Sequence, residues 1–284
     1  NTTVIERASR EPAKGGASVK LVALLTSDGQ QIDQGLVWRV FQTVDGKPKL
    51  LSEHRDANPA LKLKPGDYTI NAAFGRANLT RKITVKPDAP TLEQFVLNAG
   101  GLRLSAFIGG EPAPEGAVLY SVYADDRDQF ANRTTVMTNA KPNLIIRLNA
   151  GIYHLVSSYG DANAKVETDV TVEAGKLTET QVAHSGGTAT LKLVARRGGE
   201  AVPDTRWIIR TAAGEVVKES VGALPAHVLA PGKYIVTASS AGNVYRQEFE
   251  VKDSQVTSVE VLMDARNAAE ESFDIEPSLD LKNP

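Results

Sequence analysis

The side chains able to do chemistry are few and scattered along the chain. Four histidines, His54, His154, His184 and His227, stand at no spacing such as H-x-H or H-E-x-x-H that lets two of them grip one metal ion. Cysteine is absent, so thiol catalysis, disulfide bonding and cysteine–zinc coordination are all closed to this chain. Neither a Gly-x-Ser-x-Gly elbow for a hydrolase nor a phosphate-binding loop with Gly-Lys-Ser/Thr occurs. The densest acidic group is Asp125, Asp126 and Asp128, three carboxylates within four positions. Oxygen ligands in that number suit calcium. Arg127 stands among them, however, and the central glycine and late glutamate of an EF-hand loop are missing, which favours a hydrated hairpin loop. No cofactor is expected and no catalytic residue is assigned.

The elements that would position these groups follow from a repeat. A paired glycine opens each of three stretches, at Gly15-Gly16, Gly100-Gly101 and Gly186-Gly187. A [Pro/Ala]-Gly-x-Tyr signal follows at similar distances, as Pro65-Gly66-Asp67-Tyr68, Ala150-Gly151-Ile152-Tyr153 and Pro231-Gly232-Lys233-Tyr234. Three units of about 80 to 86 residues account for most of the chain. Within each, short segments alternate apolar and polar residues with period two, the mark of half-buried strands. Leu36, Val37, Trp38, Arg39 and Val40 are one example, with 36, 38 and 40 on one face. About seven strands per unit, punctuated by turns, fit a small β-sandwich.

The expected fold is therefore all-β, three tandem immunoglobulin-like antiparallel sandwiches in an elongated array. The expected divisions are an extension at 1–14, sandwiches at 15–99, 100–185 and 186–264, and an acidic flexible tail at 265–284. In each unit the glycine of Gly-x-Tyr supplies a positive φ at a turn, and the tyrosine buries its ring while its hydroxyl reaches a backbone group across a corner. Trp38, Tyr120 and Trp207 recur on the second strand of each unit and read as core plugs.

Composition narrows the function classes. The formal charge of −2, from 32 basic and 34 acidic residues, offers no field to attract nucleic acid or an anionic membrane. No apolar run approaches the roughly 20 residues of a membrane span. Residues 1–14 lack the features of a secretion signal, so any such signal has been removed or was never present. Narrow stacked sandwiches lack the concave pocket that catalysis needs, and an enzyme is not expected.

The segments 97–106, Leu-Asn-Ala-Gly-Gly-Leu-Arg-Leu-Ser-Ala, 35–40, Gly-Leu-Val-Trp-Arg-Val, and 65–70, Pro-Gly-Asp-Tyr-Thr-Ile, carry a resemblance. Together they resemble the tandem immunoglobulin-like or carboxypeptidase-regulatory-like repeats of bacterial envelope proteins, the type found beside von Willebrand factor A domains. The resemblance covers about residues 16 to 264. It implies an exported protein, periplasmic or on the cell surface, with a binding or spacer role. The Asp-x-Ser-x-Ser metal motif of the von Willebrand domain is missing. The expected function is a non-enzymatic envelope scaffold or protein-binding arm whose partner is another envelope protein. The alternative is a carbohydrate- or peptidoglycan-binding module, for which Tyr123, Phe130, Tyr159 and Tyr245 are the candidate stacking residues. Phe130, and Phe273 and Ile275 in the tail, are the candidate partner-binding residues.

Overall fold

The computed structural model describes residues 16–264 and 267–268. The chain is all-β, with 22 strands among the described residues. The first sandwich is β1 (Ala17–Leu24), β2 (Leu36–Val44), β3 (Lys47–His54), β4 (Ala60–Leu63), β5 (Gly66–Phe74), β6 (Ala77–Val85) and β7 (Thr91–Val96). The second is β8 (Ala99–Ile108), β9 (Glu111–Pro112), β10 (Val118–Arg127), β11 (Arg133–Ala140), β12 (Ile145–Asn149), β13 (Gly151–Tyr159), β14 (Lys165–Val172) and β15 (Leu177–His184). The third is β16 (Gly187–Val194), β17 (Arg206–Thr211), β18 (Val216–Val221), β19 (Ala226–Leu229), β20 (Gly232–Ser240), β21 (Asn243–Val251) and β22 (Val256–Leu262). Each sandwich faces a sheet of order β3-β2-β5-β6 with a sheet of order β4-β1-β7, or their counterparts. The ladders are antiparallel except one per sandwich: β1 with β7, β8 with β15 and β16 with β22 run parallel. The last strand of each unit thus leaves beside its first and in the same direction, and in the first two units this carries the chain straight into the next.

Alternation in sequence becomes alternation in burial. Along β5, Tyr68, Ile70 and Ala72 point inward, and β13 and β20 repeat the pattern with Tyr153, Leu155, Ser157 and Tyr234, Val236, Ala238. Trp38, Tyr120 and Trp207 are fully buried, each across the ladder from the residue four after the tyrosine: Ala72, Ser157 and Ala238. Trp207 Nε1 donates to the Gly222 carbonyl at 2.8 Å, and Trp38 meets Phe95 edge-on at 5.2 Å. The three tyrosines close corners as expected. Tyr68, Tyr153 and Tyr234 each donate to the carbonyl four residues earlier, of Lys64, Asn149 and Ala230, at 2.8, 2.7 and 2.6 Å. Gly66, Gly151 and Gly232 carry the positive φ this requires.

The glycine pairs need correction. Ala17, Gly100 and Gly187 pair with Leu63, Leu148 and Leu229, each five residues before its tyrosine, so these three are the equivalent positions. Gly101 then corresponds to Thr188 and to Ser18, and Gly16 corresponds to Ala99 and to Gly186. Gly100 and Gly187 lie in strands, where a Cβ would run into the carbonyl oxygens of Glu173 and Lys252. Their requirement is room for a neighbouring backbone. Of the hairpin loop expected around Asp125, Asp126 and Asp128, the first two belong to strand: β10 continues to Arg127 and β11 begins at Arg133.

One core differs from the other two. His184 and Ser157 are buried in the second sandwich, His184 with 4% of its surface exposed, and the Ser157 Oγ and His184 Nε2 lie 2.8 Å apart. The equivalent pairs are Leu97 with Ala72 and Met263 with Ala238, both apolar. His184 Nδ1 and the Tyr120 hydroxyl, both buried, have no hydrogen-bond partner. Burial alone holds the His184 pKa below its ordinary value and pushes the Tyr120 hydroxyl up to about 12.

Two outcomes follow from these cores. Trp207→Ala is expected to cost about 3–5 kcal/mol of stability, read by denaturant unfolding of the third sandwich; a loss below about 1 kcal/mol would overturn its assignment as a core plug. Because folded His184 binds a proton less readily than unfolded His184, the unfolded state holds more protons as pH falls below about 6.5. Stability is fully present above that pH and is lost below it, by at most about 1.4 kcal/mol per pH unit. Amide exchange in β13 should therefore quicken between pH 7 and pH 5 relative to its intrinsic rate. His184→Met combined with Ser157→Ala, the pair of the third sandwich, should abolish that excess.

Candidate functional site

β10 pairs with β13 only from Val118 to Ala124, while its pairing with β11 continues to Arg127 opposite Arg133. The β10–β11 hairpin thus projects past the body of its sheet. Asp128 organises its tip: its Oδ1 accepts the Phe130 and Asn132 amides at 2.8 Å each, and the Ala131 amide donates to its carbonyl. The hydrogen bonds from Asn132, above all its amide, hold the Asp128 carboxyl below the usual range. Phe130 sits on this tip with 74% of its surface exposed.

The three carboxylates proposed for calcium do not converge. Asp125 and Asp126 are successive strand residues and so point to opposite faces. Asp125 lies 3.5 Å from the Arg133 guanidinium, and Asp128 is committed to its own loop. Among the described residues no three His, Asp or Glu side chains stand together as a metal site. The stacking candidates are likewise dispersed. Tyr123 lies 6.4 Å from His154 on the outer face of the second sandwich. Tyr159 packs against Gly186, and Tyr245 is bridged to Ala268 in the third sandwich. Phe273 and Ile275 lie outside the described residues. Of the stretch expected as a tail, Asn267 and Ala268 are described; the Asn267 side chain donates to the Leu262 carbonyl.

The most specific geometry lies between sandwiches, at residues that the sequence reading did not single out. Gly75, in the β5–β6 turn, rests against Arg147, so that a Cβ on it would stand 2.9 Å from the Arg147 Cβ. Gly160, after β13, rests on Val228 in the same way, at 2.8 Å. Both have positive φ, 62° and 71°, so the backbone disfavours a side chain where the neighbour already leaves no room for one. Arg147 and Val228 are equivalent, each six residues before its corner tyrosine. Around the first contact, the Arg76 amide donates to the Arg147 carbonyl at 2.9 Å, and the Arg147 guanidinium lies 4.4 Å over the Phe74 ring. The Asn149 side chain accepts the Asn78 amide and donates to the Asn78 and Leu97 carbonyls.

At the second contact the Asn163 side chain accepts the Ala230 amide at 3.0 Å and donates to the Tyr234 hydroxyl at 2.9 Å. Lys218 adds an ion pair to Asp161 at 2.7 Å, and its hydrogen bond is the main cause that holds the Asp161 carboxyl below the ordinary range. A second point of support repeats too. A Cβ on Gly175, in the turn before β15, would meet Thr26 of the first sandwich, and one on Gly109 of the second would meet Ser254 of the third. The sequence did hold a signal for these contacts, since Phe74-Gly75-Arg76-Ala77-Asn78 and Tyr159-Gly160-Asp161-Ala162-Asn163 share an aromatic-Gly-x-Ala-Asn pattern six residues after the corner tyrosine.

What the arrangement does is mechanical: it seats one sandwich on the next through a bare glycine. The cleft beside the first junction, about 510 Å³, is lined by Arg39, Arg76, Asn78, Asn149 and Tyr153 among others, and both Asn78 and Asn149 are engaged in holding the junction. No helix among the described residues is long and apolar enough to cross a membrane.

No curated protein matches the sequence. Among solved structures, the TIE protein of Bacillus anthracis is 17% identical over 87% of this chain and 50% of that one, with a TM-score of 0.26. The present chain thus spans half the length of that protein. A streptococcal ancillary pilin is 13% identical over 88% of this chain and all of that one, with a TM-score of 0.32, and the minor pilin of Streptococcus agalactiae is 14% identical over 59% and 95%, at 0.29. Likenesses of this size say nothing of what the chain binds. The model of a Rhizobiales growth-associated tandem repeat domain matches residues 188–263, the span of the third sandwich, so this part of the chain is similar to a bacterial tandem repeat.

Proposed function

We propose that the chain is a non-enzymatic scaffold or protein-binding arm of a bacterial cell envelope, exported to the periplasm or the cell surface. It is divided into sandwiches at 15–99, 100–185 and 186–264. The observation that carries this reading is the twofold use of one seat: Gly75 on Arg147 and Gly160 on Val228, with Cβ-to-Cβ room for no side chain. A flexible string of domains has no need of glycines placed to let neighbouring backbones touch, whereas a stiff spacer does. Stacked in this way, the array would run to the order of 100 Å, from strand dimensions plus loops.

The arm's contact with another envelope protein is assigned to the Phe130 tip. An exposed ring on a loop ordered by Asp128 loses little entropy on docking, as a binding anchor requires. The carbohydrate reading draws no support from the positions of Tyr123, Tyr159 and Tyr245, which share no surface. The partner is tested in the native cell with a photo-crosslinking residue at position 130 and, as a control, at position 82 on β6. One envelope protein captured from 130 and not from 82, with capture reduced by Gly160→Ala, is the expected result. Equal capture from both positions, or none from 130, would overturn the assignment.

A further inference from the structure

The third sandwich lacks the aromatic-glycine turn with which the first two seat a neighbour. At the place of Phe74-Gly75-Arg76-Ala77-Asn78 it has Ser240-Ala241-Gly242-Asn243-Val244. Ala241 has the same positive φ, 49°, as Gly75 and Gly160, but it carries the Cβ that both junctions exclude. A sandwich placed on the third as the third sits on the second would bring its own Cβ to under 3 Å from that of Ala241, judged by the distances of 2.9 and 2.8 Å at the two real junctions. Ala241 and Gly242 both have positive φ, as a type I′ hairpin turn demands, whereas only Gly75 does in the first sandwich. The aromatic ring is missing as well. The outgoing chain also takes another course. After β7 and β15 it enters the next first strand within a few residues, whereas beyond β22 Ala268 bridges to Tyr245 on β21.

The first sandwich carries a copy of the seat that no sandwich among the described residues meets. Lys62, six residues before Tyr68, stands where Arg147 and Val228 stand, and it is exposed. The Tyr68 hydroxyl donates to the Lys64 carbonyl as Tyr234 donates to Ala230, so it keeps the lone pairs with which Tyr234 accepts Asn163. The Lys64 amide is the counterpart of the Ala230 amide that Asn163 also engages.

We propose that the array is directional. Its first sandwich, through Lys62, Lys64 and Tyr68, is an acceptor surface for another sandwich that presents an aromatic-Gly-x-Ala-Asn turn, and its third sandwich is closed to any such addition by Ala241. The incoming glycine would lie against the Lys62 Cβ, its aromatic ring under the Lys62 ammonium as Phe74 lies under Arg147, and its asparagine between the Lys64 amide and the Tyr68 hydroxyl. The proposal concerns how the arm is extended and holds whether or not the Phe130 tip binds a partner.

The test adds one sandwich to the full chain at either end. A second copy of residues 17–99 is placed before Ala17 in one protein, and a second copy of residues 185–263 after Met263 in the other. Spin-label pairs across the new junction report its distance distribution, and amide exchange in the added copy reports that the copy is folded. The expected result is a distribution across the front junction as narrow as that across the natural junction of the first and second sandwiches, and a distribution at least twice as broad across the rear one. Replacing Ser240→Phe, Ala241→Gly, Gly242→Arg, Asn243→Ala and Val244→Asn together should narrow the rear distribution to match. A folded front copy with a broad distribution would overturn the acceptor surface. A narrow rear junction with Ala241 in place would overturn the closure.

Discussion

The hydrogen bond from each corner tyrosine to the carbonyl four residues before it is the constraint on which the rest of the structure depends. Tyr153 O–H to Asn149 O pins the segment from Arg147 to Gly151 against the end of its own sandwich. That same segment is the floor on which the previous sandwich rests, through Gly75 on Arg147 and Asn78 on Asn149. A single buried phenol thus ends one strand, starts the next and fixes the surface that meets a neighbour. In the third sandwich the phenol enters the contact itself: Tyr234 donates to Ala230 and accepts from Asn163. Intramolecular closure and inter-sandwich docking are in this sense one interaction, so each sandwich's stability is coupled to that of its neighbour, as in other quasi-linear repeats.

Much of this was legible in the sequence because period-two alternation, Gly-x-Tyr and the recurring Trp38, Tyr120 and Trp207 each have a single cheap structural reading. The corner bond, the positive φ and the buried plugs all follow from residue type and spacing. The glycine pairs misled because adjacency in sequence was taken for equivalence in space. Gly100 and Gly187 share a position with Ala17, and which member of a pair faces a neighbouring backbone depends on ladder register, which a doublet of glycines does not encode. The junction glycines were missed for the opposite reason. Their pattern occurs twice and not three times, so a search for what all units share passes over it, although a feature of junctions must occur once less often than the units it joins.

What fails to repeat divides into two kinds. Ser157 and His184 occupy places that are alanine with leucine or methionine elsewhere, and Tyr120 replaces tryptophan beside them. The substitutions are compensatory in part: the serine and histidine satisfy one another, while His184 Nδ1 and the Tyr120 hydroxyl are left without partners. Unpaired buried polar atoms cost stability, on the order of 1–3 kcal/mol each, which makes the middle sandwich the polar one at its centre. The Asp128 loop is of the other kind. It lies outside every core, its carboxylate is spent on its own backbone, and the product is an ordered, exposed phenylalanine. The loop is thus ordered by its own hydrogen bonds and not by packing in a core.

Polarity follows from the geometry of the seat. The contact is heterologous: a turn from the distal end of one sandwich meets a corner at the proximal end of the next, and the two surfaces differ. Heterologous contacts do not close on themselves unless the rotation forms a ring, so a straight array of them grows without limit unless one end is made incompatible. In the third sandwich the donor turn is changed throughout, and Ala241 places a methyl group where a neighbour's Cβ would have to go. The acceptor corner of the first sandwich, at Lys62, Lys64 and Tyr68, carries no such change.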